Sequence, residues 1–175
     1  MMTTFRSVRP EPEEFNPFYS GYVSSVPDGD IVDFLSDQQS RMTQLLKGHS
    51  DERADFRYAE GKWSLKEVVG HMVDTEWVFS YRLLRFVRGD ETALPGMDQD
   101  VFMDEKPFVN RSLSDLSLDF ETVRSASLRL IGSLDQAGFG KAGIASDVRF
   151  SVRSLVWIIA GHCEHHMNVI NERYL

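Results

Sequence analysis

The chain has 175 residues, of which 42% are hydrophobic and 26% charged, and a net charge of −8. That length suits one domain with a substantial core, and the negative charge argues against nucleic-acid or anionic-membrane partners, which would repel it. No apolar stretch approaches the roughly 20 residues that span a bilayer, the opening "MMTTFRSVRPEPEEF" has no apolar leader segment, and the single cysteine, Cys163, excludes an internal disulfide framework and fits a reducing cytoplasm.

Residues 1–29 carry Pro10, Pro12, Pro17 and Pro27 among Phe15, Phe18, Tyr19 and Tyr22. Proline opposes a long helix, so this stretch reads as an extended strap whose aromatics pack on the body. No repeat or low-complexity linker follows, so residues 1–175 read as one domain. "GDIVDFLSDQQSRMTQLLKG" is a first helix: Ile31, Phe34, Leu35, Met42, Leu45 and Leu46 recur at helical spacing. Asp30 can cap its start and Gly48 its end.

"WSLKEVVGHMVDTEWVFSYRLLRFVRGD" carries the strongest local signal. Ser64 and Glu67 form an S-x-x-E capping box, with Trp63 and Val68 placed for a hydrophobic staple. The apolar face runs through Leu65, Val68, Val69, Met72, Phe79, Leu83, Phe86 and Val87. Arg85 and Arg88 suit the negative end of the helix, and Gly89 ends it. "ETALPGMDQDVFMDEKPFVNR" is then a long connection with a turn at Leu94-Pro95-Gly96. Connections of this length often carry function, although Asp98 and Asp100 within it read as solvated.

"SLSDLSLDFETVRSASLRLIGSLDQAG" gives a third helix through Leu116, Phe120, Val123, Leu130 and Leu134, a series that Ser127 interrupts. Ile144 and Val148 allow a short hairpin, and the last helix starts near Val152 behind a capping Ser151. The pattern predicts an all-α four-helix bundle with a long crossover between helices two and three.

The final helix holds "GHCEHHMNVINERYL". At about 100° per residue, His166 lies at about 40° from His162, within the sector of Leu155, Ile159, Val169 and Ile170. His165, at about −60°, falls on the margin. Cys163, at about 100°, reads as a small core residue, and Glu164, at about 200°, points away. Two imidazoles one turn apart on an apolar face are costly if unpaired and suit one divalent ion. A catalytic ion usually takes three protein ligands. His49 follows the first helix near a loop, whereas His71 lies at the edge of the apolar face of helix two. Facing helices of a bundle build metal sites from inward side chains, which selects His71. His165 reads as a surface residue or a support to the ligands.

"RYAEGKWSLKEVVGHMVDTEWVFSYRLLRFVRGD", "LPGMDQD" and "SVRSLVWIIAGHCEHHMNVINERYL" together resemble the DinB-like superfamily of metal-binding four-helix bundles, over nearly the whole chain. The resemblance implies a divalent ion held by one histidine of helix two and a His-x-x-x-His pair on the last helix, here His71, His162 and His166. Zinc or nickel suits such imidazole ligands best, with manganese or iron as further candidates. Some relatives are transferases or isomerases that use bacillithiol, mycothiol or glutathione, and others are called metal-dependent hydrolases. The expectation is therefore a metal-dependent enzyme acting on a small molecule, first by transfer of a low-molecular-weight thiol to an electrophile, with hydrolysis or turnover-free metal binding in a stress response as alternatives. Hydrolytic zinc helices of the His-Glu-x-x-His type place their base inside the motif; Glu164 is turned the wrong way for that role. A homodimer is compatible with this reading.

Overall fold

A computed structural model describes residues 4–47, 49 and 51–175. In chain order its helices are α1 (Ser20–Ser25), α2 (Ile31–Lys47), α3 (Asp51–Ala54), α4 (Leu65–Val87), α5 (Gln99–Asp104), α6 (Leu113–Gly132), α7 (Gln136–Gly140) and α8 (Val152–Arg173). Strands β1 (Ala142–Ala145) and β2 (Val148–Ser151) form one antiparallel hairpin before α8. Its two-residue turn uses Ser146 and Asp147 at positive φ, the conformation such tight hairpins require.

The long helices begin where local chemistry satisfies their free N–H groups. The Asp30 carboxylate accepts from the Val32 N–H at 2.9 Å. Ser64 and Glu67 form the reciprocal capping box, the Ser64 N–H donating to Glu67 at 2.6 Å. Ser112 and Asp115 form a second box at the start of α6, and the Ser151 hydroxyl accepts from the Ser154 N–H. Gly89, at φ +77°, lets the chain leave α4. Gly48 lies outside the described residues.

α2 packs on α6 and α8, and α4 packs on the same two helices. The first two long helices, α2 and α4, therefore sit diagonally. Contacts give the directions. Glu76 meets Arg124 and Ser80 meets Ser127, so α4 and α6 run parallel. His71 meets His162 and Trp63 meets Tyr174, so α4 and α8 run antiparallel. A parallel neighbour forces the chain to return along the bundle before starting again. α4 has 23 residues, about 34 Å of helix, and the segment 88–112 makes that return. It is pinned to the hairpin by Leu94, whose N–H donates to the Ile144 carbonyl at 2.9 Å. Near its far end the Phe108 ring covers Gly70, where a Cβ would stand 2.4 Å from the ring.

The core divides into two apolar clusters. One joins the N-terminal half of α2 to the C-terminal half of α4 and the start of α8, with Leu35, Leu83, Phe86 and Leu155. The other, with Met42, Val69, Phe120 and Ile170, fills the opposite half. Every long helix changes from one cluster to the other at a buried polar residue: Gln38, Glu76, Arg124 and His162.

Two local expectations are corrected. The strap is not extended throughout: Phe5–Ser7, Pro12–Glu14 and Pro17–Tyr19 are single 3-10 turns joined by extended residues, and α1 follows. Proline is well placed at the first position of a turn, because its missing N–H needs no partner there, and Pro12 and Pro17 occupy such positions. The third bundle helix also ends at Gly132, before Leu134. Asp135 caps a separate short helix, accepting from the Gly138 N–H at 2.8 Å. Ser127 interrupts the apolar series because its buried hydroxyl bonds Ser80 at 2.7 Å and the Val123 carbonyl at 2.9 Å.

Candidate metal centre

His71 is brought to the bundle axis by the apolar face of α4 seven residues after the Ser64 cap. His162 and His166 come from successive turns of α8. His162 Nε2 lies 3.1 Å from His71 Nε2 and 3.1 Å from His166 Nε2. Ligand nitrogens at about 2.0–2.1 Å from one tetrahedral ion stand about 3.3 Å apart, so the spacing fits one ion. Among the described residues these three form a group of donors able to hold a metal.

Glycines give the chain access to this point. Gly70 and Gly161 each directly precede a member of the cluster. A Cβ at Gly161 would lie 2.0 Å from the Tyr22 carbonyl oxygen, so only glycine lets α1 approach α8 this closely. The approach puts the Tyr22 ring 5.6 Å from the His162 ring. Trp63 closes another side, 4.9 Å from the His71 ring.

Burial lowers the pKa of His71 to about 4. Burial, with the neighbouring imidazoles adding to it, lowers His166 to about 3 and holds His162 well below the ordinary value. All three are neutral near pH 7, the state in which an imidazole nitrogen offers a lone pair. Thr75 Oγ1 lies 3.4 Å from His71 Nδ1. With the proton of His71 on Nδ1, that hydroxyl accepts it and Nε2 is left bare toward the cluster.

A cavity of about 440 Å³ opens onto the cluster. The strap contributes Phe18, Tyr19 and Tyr22, α4 adds Thr75, Phe79 and Arg82, and the crossover adds Met97 and Gln99. No Asp or Glu is among the described residues that line it. His165 is exposed, 5.0 Å ring to ring from His166, and lines the cavity without joining the cluster. His49 lies in a separate groove beside α2 and α6. Asp98 caps α5 through the Asp100 N–H, and Asp100 is exposed in a neighbouring groove beside His166.

Cys163 is buried, and burial raises its thiol to about 12, which removes it as a thiolate nucleophile. Glu164 turns toward α2, where Arg41 and Gln38 donate to it. Arg82, Gln99 and the strap tyrosines are cavity residues that the sequence reading did not single out. Helical phase could have found Arg82: it follows His71 by 11 residues, about 20° from the same line on α4. Tyr19, Tyr22 and Gln99 lie in a single 3-10 turn and in two six-residue helices, too short to give a period that would assign them.

Comparison with known proteins places these features in a family. Residues 35–170 match the sequence profile of the DinB superfamily. The chain is 26% identical over 132 residues to an Oceanobacillus iheyensis protein named "Putative metal-dependent hydrolase OB0413", an alignment that covers 73% of this chain and 74% of that one. Among solved structures, the fold is similar to that of YfiT from Bacillus subtilis, described as a "probable metal-dependent hydrolase with an unusual four-helix bundle topology" (TM-score 0.71, 15% identity, 95% of this chain and 91% of that one). It is also similar to the DinB-like protein YjoA of the same organism (TM-score 0.58, 16% identity, 83% and 90%).

Proposed function

Because the chain belongs to the DinB superfamily, we propose that it is a metal-dependent enzyme whose His71, His162 and His166 hold one divalent transition ion, and that it transfers a low-molecular-weight thiol to an electrophilic small molecule. The observation that carries this reading is the convergence of three neutral imidazoles at a cavity lined by no carboxylate among the described residues. Zinc or nickel suits these ligands. A divalent ion bound there supplies Lewis acidity that favours the ionised form of a coordinated thiol or water. The chain's own residues do the rest. Thr75 can accept the Nδ1 proton of His71 and so leave Nε2 free toward the cluster, and Trp63 and Tyr22 wall the cluster. A thiol that has lost its proton attacks without further help, whereas water attack commonly uses a positioned base. That difference favours thiol transfer in a cavity whose described lining holds no Asp or Glu.

Hydrolysis is the second reading, favoured by the names given to the Oceanobacillus relative and to YfiT. The test offers bacillithiol, mycothiol and glutathione with a chlorinated or epoxide electrophile, in parallel with a panel of ester and amide substrates, to the metal-loaded protein and to His71→Ala. Conjugation that disappears in His71→Ala is the expected result. Hydrolysis lost in the same variant, with no conjugation, moves the assignment to the second reading. A tightly bound ion with neither activity makes the protein a metal-binding module.

A further inference from the structure

We infer that the cavity takes a small molecule carrying an oxyanion, a carboxylate or a phosphate, which Arg82 grips while the reactive end of the molecule lies at the histidines. The placement of the reactive end rests on the proposed metal chemistry; the anion site does not. Arg82 is 4% exposed and lines the cavity. A guanidinium is charged at any working pH and offers five N–H donors. Two bonds leave its Nη2, to the Pro95 carbonyl at 3.0 Å and to Ser146 Oγ at 3.2 Å. Nε and Nη1 meet no acceptor among the described residues, and no carboxylate pairs with the group.

Arg124 shows what this chain does with a buried arginine meant only for structure: Glu76 neutralises it through two bonds. A buried cation without a counter-charge is costly, and the cost is recovered when a ligand brings the charge. The rest of the wall agrees with an anionic guest. The described lining offers further donors from Tyr19, Tyr22, Trp63 and Gln99 but no acidic side chain. In a chain of net charge −8, a cavity with a cation in its wall and no acidic group among its described lining residues stands apart from the average surface.

Distance along α4 sets the shape of the guest. Arg82 and His71 share one face of the helix with about 16 Å between their Cα atoms, and helical side chains lean toward the N-terminus, which brings the guanidinium back toward the cluster. A spacer of several bonds therefore separates the anionic end from the reactive end.

The test is calorimetric titration of the full-length, metal-loaded protein with 6-mercaptohexanoate, 6-mercaptohexylphosphonate and 6-mercaptohexanol. They share thiol and spacer and differ in terminal charge. The carboxylate or the phosphonate should bind about tenfold or more tighter than the alcohol, and the tighter of the two identifies the oxyanion. Arg82→Gln should reduce the preference to about twofold or less, with Arg82→Lys restoring part of it. Since Arg82 also holds the hairpin, melting curves of both variants establish that they are folded. Equal binding of all three probes by the wild type overturns the inference, whatever the variants do, as does a preference that survives in folded Arg82→Gln. Hexanoate and hexanol, which lack the thiol, separate this site from the proposed chemistry. A charge preference with no gain from the thiol keeps the anion site and removes thiol transfer; a thiol gain with no charge preference does the reverse.

Discussion

Two groups of buried polar side chains lie close together in the bundle, and they are satisfied in different ways. Around Arg124 each polar atom finds protein. Its Nε and Nη2 donate to the two oxygens of Glu76, and its Nη1 to Gln38 and to the Leu35 carbonyl. Gln38 in turn donates to the Ala160 carbonyl and to Glu164. Burial opposes the charge on Arg124, but Glu76 more than offsets it and holds its pKa up. Around His162 three nitrogens of the same kind face one another, with no acidic group among them. A network closed on itself ties the four helices together. A set of like donors aimed at one point is instead an arrangement that could hold a single cation. The same contrast separates Arg124 from Arg82.

The comparison is broken most severely at Arg124. Replacing it with Leu leaves Glu76 as a buried, unpaired charge, and loss of one partner of such a pair costs about 3–5 kcal/mol. The double variant Glu76→Leu, Arg124→Leu should recover most of that loss, since apolar replacement of a buried pair is often close to neutral. Urea unfolding of the two proteins checks this, and a double variant as unstable as the single one would mean that the network does more than neutralise itself.

The histidine cluster should behave in the opposite way. An ion that binds only the folded chain stabilises it by about 2.7 kcal/mol at 100 times its dissociation constant. Chelation should therefore lower the melting temperature of the wild type and leave that of His162→Ala, His166→Ala unmoved. Elemental analysis after equal metal exposure should find about one ion per chain in the wild type and far less in the double variant. Equal metal content in both proteins would remove the candidate centre.

A smaller effect is expected at the cap that sets the phase of His71. Ser64→Ala should cost about 0.5–2 kcal/mol. Burial raises the Glu67 pKa, but bonds from Arg57 and Ser64 outweigh it and the carboxyl sits below its ordinary value. A depressed carboxylate contributes its stability above the unfolded pKa, about 4.3, and loses it as pH falls through the folded value. Stability of the wild type should thus decline below about pH 5, and more steeply than that of Ser64→Ala, which keeps fewer bonds to the carboxylate. Parallel slopes in denaturant titrations at pH 3–6 would count against the capping box as their origin.

The smallest effect belongs to Cys163. Its thiol is buried and raised to about 12, so iodoacetamide should leave the folded protein unlabelled and Cys163→Ser should retain thiol transfer. Loss of activity in that variant while His71→Ala remains active would reverse the proposed roles.

The main helices and the direction of their histidines were legible in the sequence. Both follow from local rules: the Ser64 box and the Ser151 cap fix where α4 and α8 begin, and a 3.6-residue period then fixes which side chains share a face. That is why His71, His162 and His166 were legible in one chain without any neighbour in view. The partners of these side chains emerge only on packing. Nothing local says that Arg124 will meet Glu76 across parallel helices, that Tyr22 will reach His162 over Gly161, or that the crossover will hold Pro95 against Arg82. Those contacts join residues 13 to 140 positions apart, and their geometry is set by how the packed helices cross and by the strap and crossover, whose helical pieces are too short to carry a period.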